Sequence, residues 1–261
     1  MGRTLGSDVG ATVLNQDIYE ISATQNHRLG TRVQIGNRVF RYAKAIQTYT
    51  TTKLLARSYY HQHICYAAIA VASPIGSNLL YVTVGAGDGI ANDGVIAAHA
   101  LEGGHLVLFD ATTDEWMNYA IRDNNAAVSG GTITITLDGE LPYATTTSDY
   151  VEVMASPYLT TCTNTQDRYA FLGLPMRLAT TTYPYHWLQT WGPCWINPQP
   201  LLGVSSPSAP KVQAVARHDG SIDLYAYGTA VITSSQLVGH CLTVAQDGTQ
   251  GAPFIELQIT P

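Results

Sequence analysis

The feature that most restricts the fold is a recurrence of short β-type runs, each closed by turn residues. Leu79 to Val84, His105 to Asp110, Met117 to Arg122, Thr132 to Leu137 and Tyr150 to Met154 are such runs. Thr132 to Leu137 (TITITL) alternates cleanly between apolar and polar, the period of a half-buried strand. Between the runs lie Gly85 to Gly89, Asn92-Asp93-Gly94, Gly103-Gly104, Asp123 to Asn125, Ser129 to Gly131 and Asp138-Gly139. Turn signals at intervals of about 8–12 residues predict a β-sandwich or barrel. No long helix is required; Ile90 to Leu101 is the best stretch for a short one.

The flanks extend this pattern. Val33, Ile35 and Val39 alternate with polar residues around Gly36-Asn37, which predicts two short strands joined by a turn. The polar stretch before Arg32 reads as an extended arm, and Thr48 to Lys53 (TYTTTK) is β-prone by residue type. Val204 to Pro210 (VSSPSAP) reads as a connector. Beyond it, Val212 to Arg217, Ser221 to Tyr227, Gln236 to Ala245 and Phe254 to Thr260 are further strands. The expected organisation is therefore mainly β, a jelly-roll-like sandwich or barrel with an extended N-terminal arm and little helix. Residues 1–60 would be the arm with its short β unit, 61–203 the β-rich body, and 204–261 strands that complete the body or form a small subdomain.

Charge is sparse and segregated. Only 12% of residues are charged, against about 25% in ordinary globular chains. The formal charge is −6, yet Ile21 to Gly87 contains no Asp or Glu and seven basic residues. Five of these, Arg28, Arg32, Arg38, Arg41 and Lys44, fall between Asn26 and Ala45. Such segregation predicts that this part of the chain lies against something negative. Ten of the thirteen bases are Arg, whose fixed fork suits carboxylates. Sixteen Tyr against four Phe suit surfaces that are sometimes wet and sometimes covered. A pI near 5.7, few Lys and no recognisable motif argue against nucleic acid.

Other chemistry finds little support. The longest apolar run, Ile64 to Ala72, is too short to span a bilayer, and Met1 to Gly10 lacks the pattern of a signal peptide, so no membrane partner is expected. Cys65, Cys162, Cys194 and Cys241 are scattered and read as reduced thiols. Gly85 to Gly89 lacks the third glycine of a dinucleotide loop. His61, His63 and Cys65 would share one strand face, but no fourth metal ligand follows at a telling spacing. Asp88, Asn92 and Asp93 lack the order and closing Glu of a calcium loop. His240-Cys241 lies in an apolar strand-like run, and no nucleophile elbow is present. The acidic pairs Asp114/Glu115, Asp138/Glu140 and Asp149/Glu152 sit near turns, where acids are ordinary. The expectation is a non-enzymatic protein with no cofactor and no metal.

The densest aromatic stretch is Tyr183 to Gly192. Tyr185, Trp187 and Trp191 fit three roles: a core strand, an oligomer interface, or a platform for glycan.

The run Leu29-Gly30-Thr31 through Arg38-Val39-Phe40-Arg41-Tyr42-Ala43-Lys44-Ala45 resembles a segment of virion-associated proteins of tailed bacteriophages. Tyr185-x-Trp187-x-Gln189-Thr190-x-Gly192 and the passage Asn125 to Leu137 are similar to the same family. The resemblance implies a decoration or cement protein on the capsid exterior. Its partners would be the major capsid protein and further copies of itself, a trimer ahead of a dimer. On that reading Arg28, Arg32, Arg38, Arg41 and Lys44 meet capsid carboxylates. A glycan- or receptor-binding fibre or spike component is the alternative role.

Overall fold

A computed structural model describes residues 15–59, 63–111, 115–163, 170–197, 211–226, 236–243 and 254–261. The chain is nearly all β. The described strands in chain order begin with β1 (Arg32–Ile35), β2 (Arg38–Lys44) and β3 (Ala56–Ser58). Then come β4 (Ile64–Val71), β5 (Leu79–Thr83), β6 (Val95–Ile96), β7 (His105–Phe109), β8 (Trp116–Asn124), β9 (Ala127–Val128), β10 (Thr132–Leu137) and β11 (Tyr150–Met154). The last group is β12 (Thr161–Cys162), β13 (Phe171–Pro175), β14 (Tyr185–Trp195), β15 (Lys211–Ala216), β16 (Ile222–Ala226), β17 (Leu237–Thr243) and β18 (Phe254–Gln258). Two compact units result: Tyr60–Pro157, and Met1–Tyr59 together with Tyr158–Pro261. The division therefore falls at 59/60 and 157/158, and residues 158–261 belong with the N-terminal segment. The expected connector at 204–210 lies outside the described residues.

The central unit is a closed antiparallel barrel in the order β10-β5-β4-β11-β7-β8. Alternation explains its core. Leu80 and Val82, Leu106 and Leu108, Ile133, Ile135 and Leu137, and Val151 and Val153 are all buried, at every second position of their strands. The threonines of β10 point outward. The stretch 90–101, read as a short helix, is instead a run of turns around the two-residue β6. Positive φ at Asn92 (54°) and Gly94 (72°) interrupts any helical path there.

In the other unit, a ten-stranded sheet runs β12-β3-β13-β14-β18-β17-β15-β16, with β2 on β14 and β1 on β2. The expected hairpin is present: Ile35 pairs with Arg38 across the two-residue turn Gly36-Asn37. Gly36 supplies φ +59° at the first turn position, as a type II′ turn demands. Strand β2 then pairs with β14, from Lys44 opposite Tyr185 to Val39 opposite Trp191.

One expectation for this unit is corrected. The described part of the arm, residues 15–31, packs on the sheet rather than extending from it. Ile18 and Leu29 are buried, and the Gln16 amide donates to the Tyr185 carbonyl at 3.0 Å. Burying those side chains outweighs the polar character of the stretch. Residues 48–53, β-prone by residue type, form an irregular stretch with bends, in which Tyr49 is drawn into the core with its N–H on the Ala179 carbonyl.

Candidate docking surface

The hairpin positions four of the five basic residues, and Arg28 is exposed in the loop before it. Cross-strand register decides which side chains share a face. Arg32 stands directly opposite Arg41. Arg38 and Lys44 occupy the alternate set on β2, so they lie on the other face of the ribbon. The basic cluster is thus divided: Arg32 and Arg41 come together, and Arg38 and Lys44 flank the aromatic core at the two ends of β2. A single patch made of all five is not what the fold presents.

Three of the guanidinium groups have contacts within the unit. Arg41 donates to the Gly30 carbonyl at 3.2 Å and to the Pro261 main-chain oxygen at 2.9 Å. Arg32 reaches the Gln34 side-chain oxygen at 3.2 Å. Arg38 approaches the Tyr19 hydroxyl at 3.4 Å and lies 5.1 Å from the Phe40 ring centroid. Lys44 sits 5.8 Å from the ring centroid of Tyr185, its cross-strand neighbour. Among the described residues no Asp or Glu side chain lies within ion-pair distance of Arg32, Arg38, Arg41 or Lys44. Strand β1 has β2 as its only described neighbour, so it is a sheet edge.

The aromatic residues divide too. Trp187 is fully buried, which corrects its assignment to an interface or a glycan platform: no partner reaches its ring. It packs edge-on to Tyr42 at 5.0 Å and beside His27 at 5.2 Å, and its indole N–H donates to the Gln16 carbonyl at 3.3 Å. The Tyr42 hydroxyl donates to Gln16 Oε1 at 2.7 Å. Burial is the main cause that pushes its pKa up to about 12, so it stays a donor. Tyr185 stacks on Tyr42 at 6.1 Å and is half-buried, as is Trp191 at the bulge of β14. Gln16, the polar hub of this cluster, carries no sequence signal, because it is one polar residue among many.

The remaining candidates resolve into structural roles. His63 Nδ1 accepts the Ala155 N–H at 3.3 Å within the barrel unit. His61 lies outside the described residues. Asp88 caps its own turn by accepting the Gly85 N–H at 2.7 Å. Asp149 accepts from the Ala111 and Thr146 N–H groups, and Asp138 from that of Ala120. Asp114 lies outside the described residues. Cys162 and Cys194 are buried and form no disulfide, and burial raises Cys194 to about 12. Cys241 is half-buried against the core, with His240 exposed beside it. Among the described residues no three His, Cys, Asp or Glu side chains converge as metal ligands, and no helix is long and apolar enough to cross a membrane.

The two units also divide the charge. Residues 60–157 carry eleven acids and one base, Arg122, a formal −10. The other unit carries twelve bases and eight acids, a formal +4, and the two sum to the −6 of the chain. Comparison with protein-family models, with curated proteins and with solved structures gives no match to this chain.

Proposed function

We propose that the chain is a non-enzymatic structural protein that decorates and cements a tailed-phage capsid from outside, bridging major capsid protein subunits. The observation that carries this reading is the Arg32–Arg41 pair. Like charges directly opposite on adjacent strands destabilise a sheet. Here Arg32 stands on an edge strand with Arg41 beside it, and among the described residues no Asp or Glu side chain pairs with either. Carboxylates of a partner would relieve that repulsion with bidentate bonds. An acidic partner segment could also add along β1, taking main-chain bonds from the open edge. The phage assignment itself rests on the sequence resemblance. Further copies of the chain, as a trimer ahead of a dimer, would supply the multivalency that lets each contact remain modest.

The test is co-sedimentation of the purified chain with capsid shells that lack it, across a salt series. Deleting residues 1–45 would remove β2 from the sheet, so a charge change on the exposed Arg32 is the sound perturbation. Arg32→Glu should weaken shell binding by about tenfold and flatten its salt dependence. Failure of the unaltered chain to bind shells, or equal binding by Arg32→Glu, would overturn the reading.

A further inference from the structure

The outer face of the barrel carries a line of four aromatic rings. Tyr150 of β11 is directly opposite Phe109 of β7, and Phe109 is directly opposite Trp116 of β8. Tyr66 of β4 stacks on Tyr150 with ring centroids 4.5 Å apart and planes 9° from parallel. Phe109 meets Trp116 edge-on at 5.5 Å. The line crosses four adjacent strands, a span of about 14 Å at the usual strand spacing. Trp116 is 67% exposed and Tyr66 58% exposed. Tyr66 also holds φ at +45°, a conformation that side chains other than glycine rarely adopt. A strained residue presenting its ring to solvent points to a role outside folding. The other two strands, β5 and β10, present Tyr81, Thr134 and Thr136 outward instead.

We infer that this line is a binding platform for a neutral oligosaccharide. The occupant is narrowed by what surrounds the rings. A closed barrel has no free edge, so no strand can add here and contact must be through side chains. Taking about 200 Å² per aromatic side chain, the exposed ring surface is on the order of 400 Å². That falls short of the ~800 Å² per partner of a stable protein interface. Eleven acids against one base in this unit disfavour nucleic acid, anionic lipid and acidic glycans. A quaternary ammonium ion needs rings converged into a cage, and these rings are strung in a row. A row of rings suits a chain of sugar units. Their C–H faces lie on the electron-rich ring faces, and Asn118 and Glu152, the next outward positions on β8 and β11, stand beside the row to meet hydroxyls. This platform does not rest on the docking assigned to the other unit.

The test uses the full chain in affinity electrophoresis through gels containing dextran, mannan or galactan, followed by a glycan array. At least one neutral glycan should retard the protein. Trp116→Ala should weaken that retention by about tenfold, and Trp116→Ala with Tyr66→Gly should abolish it. Both positions are exposed, and Tyr66→Gly relieves the positive φ, so the thermal midpoint should hold or rise in each variant. Absence of any neutral-glycan binding would overturn the inference. So would unchanged binding by the double variant, or binding restricted to acidic glycans. A dimer seen by sedimentation that Trp116→Ala dissolves would assign the row to self-association and refute the saccharide.

Discussion

Acid should unfold this protein through two buried histidines, and His186 allows the effect to be worked through. His186 is fully buried. Its Nδ1 lies 2.9 Å from the Pro184 carbonyl, so Nδ1 carries the proton and donates. Nε2 is buried with no hydrogen-bond partner, and the ring packs edge-on to Tyr49 at 5.1 Å. Protonating Nε2 would place a cation among apolar groups, and this desolvation pushes the pKa down from 6.5 to about 4. Between those values the unfolded chain binds the proton and the native chain does not. Stability is therefore full above pH 6.5 and is lost as pH falls toward 4. A shift of that size is worth about 3 kcal/mol when fully developed, a large share of the ~5–15 kcal/mol that holds a domain. Urea unfolding followed by tryptophan fluorescence reports on this unit, since Trp187, Trp191 and Trp195 all belong to it. His186→Phe should cost about 1 kcal/mol at pH 7.5 through the lost hydrogen bond. It should also remove most of the histidine-linked loss between pH 7 and 4.5. If the unaltered protein and His186→Phe lose the same stability over that interval, the burial argument is wrong. His63, likewise lowered to about 4 by burial, supplies the same acid sensitivity in the barrel unit.

Trp187→Ala should destabilise the sheet unit by about 3–5 kcal/mol, because it empties the centre of the Tyr42–His27–Gln16 cluster; chemical denaturation checks it, and a loss below 1 kcal/mol would refute the core assignment. Gly192→Ala should cost about 2 kcal/mol or more, because φ is +93° and a Cβ would stand 2.4 Å from the Asn37 carbonyl oxygen in the hairpin turn; an unchanged thermal midpoint would contradict it.

Local rules reached much of the fold. The bounds of β10 and β11 follow from alternation alone, and the hairpin around Gly36-Asn37 follows from turn chemistry. Two stretches depart from their local preference for one cause. Residues 90–101 have apolar content suited to a helix, and residues 48–53 have β-branched content suited to a strand. In each, long-range packing overrode local preference: the His99 N–H bonds the Asn124 carbonyl, and the Tyr49 N–H bonds the Ala179 carbonyl. Within the candidate surface, the basic residues were legible as a cluster. Their division between two faces was not, because it depends on strand register.

What the sequence determined by itself is the β class, the turn positions and the separation of charge along the chain. Each of these is a short-range property, set by side-chain type and by periodicity. Tertiary structure alone decided that β10 meets β8 and β4 meets β11 to close a barrel, and that β2 meets β14, strands far apart in the sequence. It also decided that Trp187 is buried while Trp116 faces solvent. Those outcomes depend on pairings between distant segments. Many registers satisfy the same local pattern, and the selection among them is made by how well whole faces pack.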